Sequence, residues 1–197
     1  MNLTLRKKNK PTPPFFSTID PGKQESLSQF SLTLTYLFTN LFSSHEQLII
    51  LCIGSDRCTG DSLGPMTGSI LEELNPGRCT ILGTISYPVH ALNLAATLEQ
   101  INHDYNSPAI AAVDACLGRK EKIGFLEVGK GSLIPGAGVK KNLPPVGDIF
   151  ITGIVNVGGA MEFMVLQNTR LGTVIPMSRF IARGIFNALT EIELKKL

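Results

Sequence analysis

The sequence predicts an α/β fold, a three-layer α/β/α sandwich with a mostly parallel central sheet. Three observations lead there. Short continuous apolar runs recur at residues 48–53, 109–113 and 149–154, as expected of strands covered on both faces. Between them lie stretches with apolar residues three and four apart, the spacing of helices that bury one face. Of the 197 residues, 43% are hydrophobic and only 17% charged, enough for a sizeable core and too apolar for general disorder. Strands alternating with helices wind into a parallel sheet with helices on both sides.

Residues 1–24 hold Pro11, Pro13, Pro14, Pro21 and Gly22 among polar and basic groups. That composition buries too little surface to order itself, so a flexible tail is expected. Residues 25–197 read as a single α/β domain, with an N-terminal amphipathic helix over 25–43 and a core over 45–195. Leu27, Phe30, Leu34, Leu37, Phe38 and Leu41 give that helix one apolar face. The strand at 48–53 stops at Gly54, and a helix is expected over 61–74, closed by Pro76 and Gly77. A second strand follows at 79–85, then a helix over 91–101 carrying Leu92, Leu94, Ala95, Leu98 and Ile101. The strand at 109–113 ends at Asp114. Two more strands, 123–128 and 149–154, flank a Gly/Pro-rich connection over 131–147, a length usually reserved for functional or mobile loops. A short helix over 161–167 precedes a last one expected to start after Pro176, with Met177, Phe180, Ile181, Ile185, Ala188, Leu189 and Ile192 at helical spacing.

Composition narrows the functional classes. The net charge is +2, and Arg6, Lys7, Lys8, Lys10, Lys195 and Lys196 put much of the basic excess at the ends. The near-neutral middle lacks the basic stripe of a nucleic-acid-binding core, so no nucleic-acid partner is expected. Cys52, Cys58, Cys79 and Cys116 form no C-x-x-C pair, which removes a zinc knuckle or thioredoxin motif and favours a reducing, cytoplasmic setting. The apolar stretch 30–42 is interrupted by Ser, Thr and Asn, and a spanning helix needs about twenty apolar residues in a row. No membrane span is expected. An association of identical chains is compatible with this composition.

Chemistry concentrates after the first strand, in Gly54-Ser-Asp-Arg-Cys-Thr-Gly-Asp-Ser-Leu-Gly-Pro65. A P-loop would need Lys and then Ser or Thr after its last glycine. Here Gly60 is followed by Asp61, whose carboxylate would repel a phosphate. Asp61 alone can be explained as a helix N-cap. A second carboxylate, Asp114, ends another apolar strand, however, and ligands of open parallel sheets sit outside the carboxyl ends of strands. Two carboxyl groups held close share a proton and supply an acid and a base together. His90, following Pro88 at the same edge, is a candidate ligand or proton carrier. Gly136, Gly138 and Gly158 can expose backbone N–H groups to a peptide carbonyl, Asn156 can bond a substrate backbone, and Arg57 can balance the carboxylates. Cys58 and Cys116 lie close to the aspartates in sequence, and a thiol nucleophile there would need a base such as His90.

These motifs resemble a known group. Thr59-Gly-Asp-Ser-Leu-Gly-Pro65 resembles the T-P-D-A-L-G-P segment of the germination protease of bacterial spores. Ala112-Val-Asp-Ala115 is similar to its V-D-A-L-A segment, and Ile134-Pro-Gly-Ala-Gly-Val139 to its P-G-S-G-V loop. Residues 53–65, 112–118 and 147–159 are closer still to three segments of the smaller spore protease YyaC family: I-G-S-D-R-x-x-G-D-S-L-G-P, A-V-D-A-C-L-G and G-D-I-x-I-T-G-I-V-N-V-G-G. The resemblance implies the fold of the hydrogenase maturation proteases, with Asp61 and Asp114 as a catalytic pair. In those relatives an acidic residue at the place of Asp61 binds nickel. Here the second strand leads to Ser86-Tyr-Pro-Val-His90 without a carboxylate, which speaks against a nickel site.

The expectation is therefore a sporulation-associated peptidase acting on a peptide or protein, with small acid-soluble spore proteins as one candidate, in the cytoplasm of a spore-forming bacterium. No cofactor is required, and a divalent metal held by Asp61 and His90 stays open. Two alternatives stand beside it: a non-enzymatic sporulation protein that binds a partner at this edge, and a metal-binding maturation factor.

Overall fold

The structure, a computed structural model, describes residues 16–195 except 44, 46, 78 and 137–142. Its centre is a six-stranded sheet with strand order β1-β5-β6-β4-β2-β3. The strands are β1 (Phe16–Ile19), β2 (Leu48–Cys52), β3 (Thr80–Leu82), β4 (Ala109–Gly118), β5 (Leu126–Lys130) and β6 (Ile149–Val157). β3, β2, β4 and β6 run parallel, while β5 is antiparallel to both β6 and β1. The helices are α1 (Ser26–Phe42), α2 (Leu63–Leu74), α3 (Leu94–Asp104), α4 (Glu162–Gln167) and α5 (Leu171–Leu194). The expected mixed α/β sandwich, mostly parallel, is what the chain forms.

Each sheet face has its own apolar cluster. On one face α1, α2 and α5 cover alternate residues such as Ile50, Ala111, Val113, Val128 and Ile151. On the other, α3 and the β5–β6 connection cover Ile49, Leu51, Ile53 and Ala112. Period-two alternation thus sends neighbours on one strand into different layers. α1 is rich in Ser and Thr yet buries Phe30, Leu34, Leu37 and Phe38. Its hydroxyls donate back to carbonyls one turn earlier: Ser31 to Leu27 at 2.8 Å, Thr35 to Ser31 at 2.9 Å and Thr39 to Thr35 at 2.7 Å. They therefore do not compete with the helix or lie unpaired in the core. α1 and α5 touch where Phe30 faces Gly184, and a Cβ added there would stand 2.3 Å from the Phe30 ring.

Four expectations change. Residues 16–19, counted with the tail, form β1 on the sheet edge, with Ile19 buried beneath it. The prolines that suggest disorder bracket a short strand, and an edge tolerates them because one side needs no partner. β4 does not stop at Asp114 but runs four residues further, because β6 continues beside it to Val157. α5 starts at Leu171, so Pro176 lies inside it rather than before it. β3 is shorter than the expected 79–85, spanning Thr80–Leu82, and β5 is shifted from 123–128 to Leu126–Lys130.

Candidate functional site

The first carboxylate is placed by a tight reversal after β2. Ile53 N–H still bonds Val113 O at 2.7 Å, but Gly54 N–H turns away to Val89 O at 2.8 Å and Ser55 N–H to Asp61 O at 3.1 Å. Gly54 has φ +141°, and any Cβ would lie 1.9 Å from the Asp61 carbonyl, so no other residue fits. The chain then makes a 3₁₀ turn, Gly60–Ser62, and enters α2 at Leu63. Asp61 sits within that turn. The cap position of α2 belongs to Ser62, and no side chain bonds there. Asp61 is therefore not the N-cap of α2, and its carboxyl group faces a cavity instead.

The second carboxylate arises where two strands part. β4 pairs with β2 up to Val113, opposite Cys52. Asp114, the next residue, has lost that neighbour and keeps only Thr152 of β6. The crevice left by the departing β2 is the kind of opening in which parallel sheets bind ligands. Asp114 is only 5% exposed. Its Oδ1 accepts the N–H of Ala115 at 2.8 Å. Burial first, then the charge of Asp61, hold its carboxyl well above the usual carboxylate range, against opposing N–H groups of Ala115 and Gly136. Burial also raises Asp61, opposed by the Ser55 N–H and by the charge His90 can carry.

Both groups line one cavity of about 330 Å³. His90 and Arg57 line it too. Leu92 N–H points at His90 Nδ1 at 3.3 Å, leaving Nε2 to carry the proton of the neutral ring. Gly136 reaches the cavity by an unexpected route. The β5–β6 connection leaves from the opposite sheet edge, closes its base through Leu133 and Val146, and extends across the α3 face to bring Pro135, Gly136 and Leu143 beside Asp114.

Two other residues fall elsewhere. Asn156 Nδ2 donates to Val165 O at 3.2 Å and Thr169 Oγ1 at 3.1 Å, while its Oδ1 accepts the Val157 N–H at 2.8 Å. Its amide is committed to holding α4, so a contact with substrate backbone is replaced by a positioning role. Gly158 does not line the cavity; its N–H extends the β4–β6 ladder to Gly118 O at 2.8 Å. Gly138 lies outside the described residues.

The thiols read as unreactive. Cys58 lines the cavity, but burial pushes its thiol up, against the N–H groups of Asp61 and Gly60. Cys116, two residues after Asp114 on β4, is pushed up to about 12, chiefly by burial. A protonated thiol is a poor nucleophile. All four cysteines are free.

Sequence reasoning missed the apolar wall. Leu92, Phe163 and Leu166 line the same cavity as the carboxyl groups. The signal was present in Met161, Phe163 and Met164, apolar residues at the start of, and on, a helix too short to bury them all.

Residues 21–184 match the family described as "Protein of unknown function (DUF1256)". The chain belongs to that family. It is 49% identical over 140 residues to the "Uncharacterized protein YyaC" of Bacillus subtilis (strain 168), covering 71% of this chain and 68% of that protein. The likeness to the YyaC family drawn from the motifs therefore holds across most of the chain. Among solved structures, the [NiFe] hydrogenase maturation protease HycI from Thermococcus kodakarensis KOD1 is similar at 14% identity with a TM-score of 0.43, covering 76% of this chain and 98% of that one. Among the described residues, no helix is long and apolar enough to cross a membrane.

Proposed function

We propose that this chain is a sporulation-associated peptide hydrolase in which Asp61 and Asp114 act as base and acid. The observation that carries the reading is the pair itself: two carboxyl groups line one cavity in unequal surroundings, Asp114 enclosed and Asp61 half-buried. Unequal environments divide the roles of two like groups. Asp114, whose proton is held tightly, is the acid; Asp61, nearer solvent, is the base. Asp61 takes a proton from water as the oxygen bonds to the peptide carbonyl carbon. Asp114 gives its proton to the departing nitrogen as the C–N bond breaks, and a proton passes between the carboxyl groups to reset them. His90, with Nε2 carrying the proton, supplies a hydrogen bond to the carbonyl oxygen.

A divalent metal would find Asp61 and His90 here. Among the described residues, however, no group of three or more His, Cys, Asp or Glu side chains is gathered to hold one, so no step is routed through a metal. The free cysteines and the Bacillus relative support a cytoplasmic setting in a spore-forming bacterium.

The test is a peptide library, with small acid-soluble spore proteins beside it, incubated with the full chain and read by mass spectrometry. Wild type is expected to cleave, and Asp61→Asn and Asp114→Asn each to lose cleavage by at least about a hundredfold while remaining folded, the scale of a lost acid or base. Undiminished cleavage by both variants would reject the mechanism.

A further inference from the structure

The mouth of the cavity is unusually apolar for a surface. Leu92 and Phe163 line it while 78% and 52% exposed, and Ile134, beside the lining residue Pro135, is 76% exposed. Tyr87 precedes Leu92 on the β3–α3 connection, Met161 stands at the start of α4 and Met164 follows Phe163 on it, all exposed. Leu92 and Phe163 line the cavity with the carboxyl pair, and the other four lie within three residues of a lining residue in the chain. Large apolar side chains exposed together mark a surface that another molecule covers.

We infer that this collar binds an extended polypeptide segment by bulky apolar side chains, one entering the cavity and its neighbours lying over Tyr87, Ile134 and the methionines. The inference deepens the reading above by naming the substrate class, and it rests on the same cavity being the binding site. Three features select that occupant. The cavity, about 330 Å³, is at the small end of ligand-sized pockets, and Tyr87, Ile134, Met161 and Met164 are exposed outside its lining, so a ligand confined to the cavity would leave them uncovered. The rim offers few fixed charges: Arg57 is the lining residue with a permanent positive one, and the carboxyl groups lie at the base. A ligand recognised by charge would find little to pair with. Met161 and Met164 are unbranched and polarisable, suited to a surface that accepts varied apolar sequences.

A second position supports α4 as a recognition element rather than a loose end. Gly60, one residue before Asp61, packs so closely under α4 that a Cβ there would lie 2.8 Å from Leu166 Cδ2. Asn156 fixes the same helix from beneath. The helix that carries Phe163 is thus seated directly on the turn that carries Asp61, and a side chain gripped by Phe163 lies next to that carboxyl group.

The experiment uses the full chain and short fluorescein-labelled peptides of equal length, read by fluorescence anisotropy. One carries Leu-Phe at its centre among Ser, Gly and Ala; a second carries Ser-Asn there; a third carries Lys-Lys. The Leu-Phe peptide is expected to bind at least about tenfold tighter than either other, the scale of one buried apolar anchor. Leu92→Ser with Phe163→Ser should remove that preference, and Leu92→Ser alone should reduce it. Leu32→Ser, an exposed apolar residue on the outer face of α1, should leave it intact. Equal affinity for the three peptides, or a preference that survives the double variant, overturns the inference. So does concentration-dependent dimerisation of wild type in sedimentation that the double variant abolishes, because a second copy would then be the occupant. Selective binding without cleavage would sustain this inference while removing the hydrolytic one; cleavage indifferent to the central residues would do the reverse.

Discussion

Replacing Asp114 by Asn should stabilise the protein at neutral pH and leave it unchanged in acid. Asp114 is 5% exposed, on a central strand, with a second carboxyl group facing the same cavity. Burial and the Asp61 charge raise its proton affinity above that of the unfolded chain. A raised carboxylate favours folding at low pH, where both states are protonated. It loses that contribution as pH climbs from the ordinary carboxylate value near 3.9 to the folded value, because folding must then recover a proton. Asn needs no proton, and its oxygen can still accept the Ala115 N–H that Oδ1 accepts now. Each tenfold change in proton affinity is worth about 1.4 kcal/mol. In a chain of this size 1 kcal/mol moves the melting temperature by about 2–4 °C, so each tenfold should appear as a rise of about 3–6 °C at pH 7. The assay is a set of thermal melts of wild type and Asp114→Asn from pH 3.5 to 8, a range chosen around that ordinary value. The difference should be near zero at the acid end and grow as pH rises. A variant that melts lower at pH 7, or a difference flat across the range, would refute the buried-pair reasoning.

Two further outcomes follow from the fold. Deleting residues 1–20 removes β1 and Ile19, 2% exposed, so denaturant unfolding should show a loss of about 2–4 kcal/mol, most of it the apolar burial; an unchanged midpoint would detach β1 from the sheet. Asn156→Ala removes the hydrogen bonds to Val165 and Thr169 and should cost about 1–2 kcal/mol, with faster amide exchange confined to 162–169; uniform exchange would deny Asn156 its role in seating α4.

The sheet was legible because buried parallel strands announce themselves as uninterrupted apolar runs, and residues 48–52 are buried throughout. The α1 face was legible for the same reason, from Phe30 to Leu41. β1 was not, because four residues between prolines carry too little pattern to outweigh their surroundings. The extension of β4 past Asp114 was hidden because a strand's length depends on its neighbour: β6 reaches Val157, and sequence does not show which strands lie side by side. Asp61 and Asp114 could be paired from sequence since both follow apolar runs expected at one edge. Asn156 misled because an amide at a strand end looks available until its partners, nine and thirteen residues on in α4 and beyond, are placed against it. Gly136 was singled out as a glycine able to expose its N–H, but its reach to Asp114 was not, since β5 is antiparallel and its connection starts at the far edge.

The unequal character of the two acids is itself a product of that topology. β4 is longer than β2, so Asp114 lies on a strand still held on one side by β6 while open on the other. The described parts of the β5–β6 connection then bring Pro135, Gly136 and Leu143 to the same cavity. Asp61 instead rides on a connection whose backbone is spent on its own turn, through Gly54 and Ser55, and keeps its side chain nearer solvent. A pair meant only to bind a cation would gain from two ionised, exposed carboxylates. Enclosing one of them raises the cost of its charge and holds a proton in place. That arrangement weakens cation binding and strengthens proton donation to a ligand, which supports the proposed acid–base reading over capture of a cation.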